Sequence, residues 1–129
     1  MTPPTTQPRK VGFLLRVKPD RLDEYRERHA AVWPEMLREL QRAGRSNYSL
    51  FLRPDGLLVG YFETTADDDG DAYLAASEVA ARWEREMAPF FFDDDTRPDQ
   101  SIERLEQVFD LEAQLAEAED GSRGKEAEA

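Results

Sequence analysis

The chain has 129 residues and a formal net charge of −11, with 17 Lys and Arg against 28 Asp and Glu. A chain of this length is expected to form one domain, since folding buries roughly two-thirds of its surface. The negative charge argues against nucleic acids and membrane surfaces as partners, because it repels phosphates and anionic lipids. The absence of cysteine excludes disulfides, thiolate metal sites and a cysteine nucleophile, and it favours a cytoplasmic protein.

The sequence predicts one folded domain between two tails. Residues 1–10 contain three prolines and three threonines, which offer too little apolar surface to offset the entropy of ordering, so a flexible tail is expected. The folded domain is expected at 11–112. Residues 113–129 form an acidic tail rich in alanine and glutamate, in which two glycines favour fraying of any helix beyond about Ala118.

Apolar periodicity predicts a strand and then an interrupted helix. Apolar residues alternate from Val11 to Val17, which is the period of a strand. They next recur in steps of three and four, which predicts a helix. Proline inside a helix removes a hydrogen bond and crowds the preceding turn, at a cost of about 3 kcal/mol. A first helix is therefore expected from about Arg21 to Ala31, followed by a kink and a second segment that begins at Pro34.

The remaining elements are a hairpin, a helix and a last strand. The β-rich runs at 47–53 and 57–64 flank the turn sequence Pro54-Asp55-Gly56, which predicts an antiparallel hairpin. One further helix is expected to stop at Pro89, and a final strand is expected at 105–111. The order of strand, helix, strand, strand, helix, strand is that of the α+β ferredoxin-like fold, βαββαβ.

One face of the predicted sheet would need a cover, because both helices pack on the other face. The apolar residues expected on this face are Tyr48, Leu50, Leu52, Val59, Tyr61 and Phe109. A second copy of the chain presents the same face, so a homodimer that packs through its sheets is predicted.

His29 is the one histidine of the sequence, and it falls in the last turn before the predicted helix break. The negative end of the helix dipole favours a protonated ring there, which suits a proton donor near neutral pH. Tyr25 lies one turn earlier on the same face. A core histidine bonded to a carbonyl is the competing interpretation, and Trp33 and Trp83 at helical spacing are equally typical of a core.

Other motifs exclude several classes of chemistry. The sequence has no phosphate-binding loop, no G-x-S-x-G and no dinucleotide fingerprint. The acidic runs at 67–71 and 93–95 have no accompanying histidine and are more typical of solvated loops than of a metal site. One imidazole, several phenols and two indoles remain, and such a lining suits a small neutral polyol.

The run EYRERHAAVWPEM at 24–36 resembles the signature of the L-rhamnose mutarotases, E-Y-x-x-R-H-x-x-[IV]-W-P-E-[LM], with every fixed position present. The resemblance covers about 10–112. It continues through Asn47-Tyr48, Arg82-Trp83, Met87, Pro98-Asp99 and Val108-Phe109-Asp110-Leu111. It implies a dimeric α/β barrel.

The resemblance also implies an isomerase activity on a monosaccharide, without cofactor or metal. The expected reaction interconverts the α and β anomers of L-rhamnose or a related 6-deoxyhexose. His29 would be the proton donor, and Tyr25, Tyr48 and Trp83 would bind the sugar. Glu84 stands where the family has a second tryptophan, so a charge replaces an apolar sugar platform, and L-fucose or another 6-deoxyhexose is an alternative substrate.

Two other functions fit the same expected fold. Cofactor-free monooxygenases and haem-handling proteins use the dimeric α+β barrel and often one histidine, but they leave the W-P-E sequence unexplained. A non-enzymatic small-ligand-binding module would bind a sugar without changing the rate of anomer exchange.

Overall fold

The computed structural model describes residues 9–65, 68–92 and 97–125. The first eight residues of the predicted N-terminal tail, the acidic residue Asp67 and the acidic run 93–95 lie outside the described residues. The first strand begins at Arg9, two residues before the expected start of the folded domain.

Four strands and five α-helices form the described part of the chain. The strands are β1 (Arg9–Arg16), β2 (Arg45–Leu52), β3 (Leu57–Thr64) and β4 (Glu103–Leu105). The helices are α1 (Leu22–Ala30), α2 (Pro34–Arg42), α3 (Asp68–Ala76), α4 (Glu78–Met87) and α5 (Leu111–Lys125). Short 3-10 turns lie at Pro19–Arg21, Ala88–Phe90 and Pro98–Gln100. None of the described helices is both long and apolar enough to cross a membrane.

The strands form one antiparallel sheet in the order β2-β3-β1-β4. This confirms the predicted α+β architecture. The predicted last strand at 105–111 is wrong, because β4 ends at Leu105. The predicted strand residues instead lead into α5. The Asp110 carboxylate caps this helix, because it accepts a hydrogen bond from the Ala113 N–H at 2.9 Å. Helix α5 continues to Lys125, beyond the expected fraying point, since glycine costs only about 1 kcal/mol in a helix interior.

The chain breaks between α1 and α2 at the predicted place. Ala31 leaves the helical region with φ −145° and ψ 64°, and Trp33 is extended with φ −54° and ψ 131°. Extended backbone is the conformation favoured before a proline, and Pro34 occupies the first turn of α2, where its missing N–H costs nothing. The break therefore leaves His29 in the last turn of α1, as expected.

The second helical region consists of α3 and α4, so the prediction of a single helix is wrong. Ser77 separates them, because its hydroxyl oxygen accepts a hydrogen bond from the Ala80 N–H at 3.1 Å and caps α4. The same hydroxyl donates to the buried Glu39 carboxylate at 2.5 Å, and the Tyr73 hydroxyl donates to it at 2.9 Å. Hydrogen bonds from Ser77, Arg42 and Tyr73 hold the pKa of Glu39 below its usual value.

The buried side chains form a larger and a smaller cluster, and Phe13 of β1 belongs to the smaller one, with Val11 and Phe62. Phe13 is 2% exposed and packs against the rings of Phe62 and Tyr48, with centroids 6.0 and 6.2 Å away. Its ring lies directly over Gly60 of β3, where an added Cβ would come within 2.1 Å of Phe13 Cζ. A residue without a side chain is therefore required at position 60.

The outer face of the sheet differs in composition from the prediction. Val59 pairs with Phe51 and Tyr61 pairs with Ser49, so these four residues share the outer face. Phe51 is 62% exposed there.

Tyr48, Leu50 and Leu52 were predicted on this outer face, which is wrong. Leu50 and Leu52 pack against the core on the helix side, and Tyr48 contacts the rings of Phe13 and Phe62. The hairpin register decides this, because it places even-numbered residues of β2 beside even-numbered residues of β3. Phe109, which was also expected on the outer face, lies beyond the end of β4 and is 60% exposed.

Candidate active site

A small cavity between the sheet, α1 and α4 is lined by all five residues singled out from the sequence. It has a volume of about 80 Å³, and Tyr25, His29, Tyr48, Trp83 and Glu84 line it. The tyrosine and histidine of α1 lie one turn apart, Tyr48 comes from β2, and Trp83 and Glu84 come from α4. Their placement together agrees with the sequence analysis, and their chemical roles stay predictions.

The imidazole of His29 is fixed by the backbone of its own helix. Its Nδ1 lies 3.1 Å from the carbonyl oxygen of Tyr25. Because a carbonyl oxygen can only accept, Nδ1 carries the hydrogen, and Nε2 of the neutral ring is left as an acceptor. Burial lowers the pKa of His29, and the bond to the Tyr25 carbonyl opposes this effect. The ring is therefore neutral at pH 7, in contrast to the protonated ring expected from the helix dipole.

Aromatic rings on both sides hold the imidazole in place. The Tyr25 ring stacks on it with centroids 4.1 Å apart and planes at 27°. The Trp83 ring meets it edge-on at 5.4 Å, and Trp33 in turn meets Trp83 at 5.1 Å. Trp83 is only 6% exposed, so it supports the histidine and presents little surface of its own to the cavity.

The two tyrosine hydroxyls of the cavity stay protonated over the physiological range. Burial raises the pKa of Tyr25 above its usual value, with smaller contributions from Tyr48 and Glu84. Desolvation also raises the pKa of Tyr48, although 40% of the residue is exposed, and the Glu84 carboxyl adds to the effect. Both hydroxyls can therefore donate and accept hydrogen bonds, as sugar hydroxyls require, and neither is a phenolate.

Glu84 is a buried carboxyl group with an altered pKa. Burial raises the pKa of Glu84 to about 8, and the negative charge of Asp99 adds to the rise. The Arg97 charge and a hydrogen bond from the Asp99 backbone N–H act in the opposite direction. At pH 7 the group is mostly protonated and neutral. The charge that the sequence analysis assigned to this position is thus removed by the environment.

A larger cleft of about 680 Å³ opens beside Tyr48 and shares several lining residues with the small cavity. Because Phe13, Tyr48, Asp99 and Ile102 line both, a ligand in the small cavity can extend into this cleft. Arg45 and Arg104 line the cleft and donate to opposite oxygens of Asp71, at 2.5 and 3.0 Å. The sequence analysis missed these residues, because it assigned Asp71 to a solvated acidic run.

Within 9–65, 68–92 and 97–125, no three His, Asp or Glu side chains converge in an arrangement that could hold a metal ion.

Comparison with known proteins relates this site to one family. The family described as L-rhamnose mutarotase matches residues 10–111. The L-rhamnose mutarotase of Pectobacterium carotovorum subsp. carotovorum is 37% identical over 106 residues, covering 80% of this chain and 98% of that protein. The one from Burkholderia orbicola is 38% identical over 104 residues, covering 79% of this chain and 97% of that protein.

A solved structure agrees with the sequence relatives. The crystal structure of the L-rhamnose mutarotase FA22100 from Formosa agariphila superposes with a TM-score of 0.65 at 27% identity, covering 80% of this chain and 98% of that one. Sequence and structure together place this chain in the L-rhamnose mutarotase family.

Proposed function

We propose that this protein interconverts the α and β anomers of L-rhamnose or a related 6-deoxyhexose. The observation that carries the proposal is a neutral imidazole with an available Nε2, located in one cavity with two protonated tyrosine hydroxyls. Membership of the family supports the reaction type. The retained W-P-E sequence and the family match at residues 10–111 make the mutarotase better supported than a monooxygenase.

Anomer exchange needs proton transfer at two oxygens of the sugar. The anomeric hydroxyl loses its proton while the ring oxygen gains one, the bond between C1 and the ring oxygen breaks, and an open-chain aldehyde forms. Rotation about C1–C2 and closure on the other face of C1 give the second anomer. The imidazole of His29 can take one proton at Nε2 and return it, which is general acid–base catalysis. Tyr25 and Tyr48 would hold the sugar hydroxyls during the rotation.

The reaction can be measured by saturation-difference NMR on L-rhamnose at anomeric equilibrium. We expect the protein to increase magnetisation transfer between the two anomeric protons in a saturable way. L-Fucose and D-glucose in parallel samples define the preferred sugar. Sugar binding in calorimetry without faster exchange would instead identify a binding module, and would contradict the proposal.

Replacement of Tyr48 by phenylalanine tests the role of the hydroxyl in sugar binding. Loss of one hydrogen bond is worth about 0.5–1.5 kcal/mol, so KM for the sugar is expected to rise roughly 2- to 12-fold. Tyr61→Phe is the matched control, because the Tyr61 hydroxyl donates to Glu63 on the other face of the sheet, at 2.7 Å. The same KM in Tyr48→Phe and in the wild type would remove Tyr48 from the binding residues.

We also propose that two copies of this ferredoxin-like sheet pack face to face as a dimeric α/β barrel. The outer face supports this, because it carries the exposed ring of Phe51 beside Val59 and Tyr61. Beyond β4, Val108 and Phe109 are 84% and 60% exposed. Apolar surface of this kind is typical of a protein interface.

A charge on the outer face is expected to separate the dimer. Phe51→Glu would place a carboxylate in the interface, and sedimentation velocity at micromolar concentration should then show a monomer where the wild type shows a dimer. Leu37→Glu is the control, because Leu37 is 51% exposed on α2, away from this face, and this variant should remain dimeric. A monomeric wild type would refute the interface.

We assign the activity to residues 11–112, with 113–129 outside the catalytic domain. The matched region at 10–111 supports this division. The cytoplasmic location stays a prediction.

A further inference from the structure

The proposed reaction needs a second proton carrier, since one imidazole cannot serve both oxygens at once. The candidates are the other titratable groups that line the small cavity. Tyr25 and Tyr48 are weaker acids than free tyrosine, because burial raises the pKa of each. Asp99 is ion-paired with Arg97, with Nε and Oδ1 2.7 Å apart. This leaves the carboxyl group of Glu84.

Glu84 is positioned differently from its neighbours on α4. Arg82 extends toward Glu35 at 3.7 Å, and Glu86 extends toward Arg28 at 3.6 Å, so both form exposed ion pairs. Glu84 instead lines the cavity, next in sequence to the tryptophan that contacts His29. Its carboxyl group interacts with the Asp99 backbone N–H. Because Glu84 lines the cavity, this group lies within reach of a bound ligand.

We propose that Glu84 is the second proton carrier and donates its carboxyl proton to the ring oxygen of the sugar while Nε2 of His29 accepts the proton of the anomeric hydroxyl. This inference rests on the proposed function. The bond between C1 and the ring oxygen breaks, C1 and O1 form the aldehyde, and the former ring oxygen becomes the C5 hydroxyl. On closure that hydroxyl returns its proton to the Glu84 carboxylate, and the His29 imidazolium returns one to O1. Both groups end in their starting state.

The charges around both groups are consistent with these starting states. The turn that carries Asp99 and Arg97 covers Glu84, and the Asp99 charge raises the pKa of Glu84 whereas the Arg97 charge lowers it. Tyr25 of α1 and Tyr48 of β2 also line the cavity, and both hydroxyls are neutral. The neutral imidazole places no charge beside the carboxyl group. A protonated acid and an unprotonated base therefore coexist at pH 7.

The two groups give the reaction a defined pH window. Because the pKa of His29 is lowered, the base is available above that lowered value and is lost as the pH falls through it. Because the pKa of Glu84 is about 8, the acid is available below about pH 8 and is lost as the pH rises. The ratio kcat/KM, which reports the groups of the free protein, should therefore fall below the lowered pKa of His29 and above about pH 8.

Glu84→Gln tests the inference, because it keeps the size of the side chain and removes the transferable proton. The exchange rate of L-rhamnose at saturation, measured by the same NMR experiment, is expected to fall at least about 100-fold with sugar affinity within about threefold. The remaining kcat/KM should no longer fall above pH 8. Glu86→Gln is the matched control on the exposed side of α4 and should keep the wild-type rate and pH profile.

Results that contradict the role of Glu84 differ from the result that would contradict the proposed function. A Glu84→Gln variant with a rate within threefold of the wild type, or with an unchanged alkaline decline, would overturn the role of Glu84. If that variant does not fold, Glu84→Asp decides: a retained alkaline decline supports the inference, and its absence overturns it. A wild-type protein that leaves anomer exchange unchanged would refute the proposed function itself.

Discussion

Replacement of His29 by alanine is expected to lower the rate of anomer exchange by about 100- to 10,000-fold, after subtraction of the protein-free rate. The reason is the loss of Nε2, the acceptor that the bond from Nδ1 to the Tyr25 carbonyl leaves available. Sugar binding should persist, because Tyr25 and Tyr48 still line the cavity. Exchange is measured by saturation-difference NMR and binding by calorimetry.

The control and the rescue make this result specific to the imidazole. Arg28→Ala changes the preceding residue, whose guanidinium is exposed and pairs with Glu86, and it should leave the exchange rate unchanged. Free imidazole added to His29→Ala should restore part of the rate, since it can occupy the vacated volume. An unchanged rate in His29→Ala would remove His29 from the mechanism.

Replacement of Phe13 by alanine is expected to lower the free energy of unfolding by about 3–5 kcal/mol. Phe13 is 2% exposed, and its ring is packed against Phe62, so the truncated chain would contain a cavity that the sheet cannot fill by relaxation. Urea unfolding followed by circular dichroism at a fixed protein concentration measures the change.

Leu37→Ala provides the comparison for this stability measurement. Leu37 is 51% exposed on α2, and substitutions at such positions usually change stability by about 0.5 kcal/mol or less. Similar losses in both variants would show that the ring of Phe13 does not support the core more than a surface side chain does.

Local chemistry explains which parts of the fold could be predicted. Pro34 breaks the helix through its own ring and missing donor, and the turn at 53–56 depends on Gly56, whose φ is 97°. Ser77 was missed because the apolar spacing continues across it, although serine is a common helix cap and its hydroxyl caps α4. The composition of the outer sheet face was wrong because strand register depends on pairing between strands.

In the site, the identity of the residues could be predicted, but the effects of their surroundings could not. A sequence pattern was sufficient to select His29, Tyr25 and Tyr48. Their protonation states were not predictable, because desolvation depends on all the elements that surround the cavity. Glu84 is the clearest example, since its pKa of about 8 arises from burial between α4 and the turn at Pro98–Gln100.

The contact between Phe13 and Gly60 couples two positions on neighbouring strands. A methyl group at 60 needs the volume that the aromatic ring occupies, so this change becomes compatible with the fold only after residue 13 is made smaller. The ring also lines the small cavity. A smaller residue at 13 would therefore both enlarge that cavity and permit a side chain at 60, whereas steric overlap blocks the two changes in the reverse order.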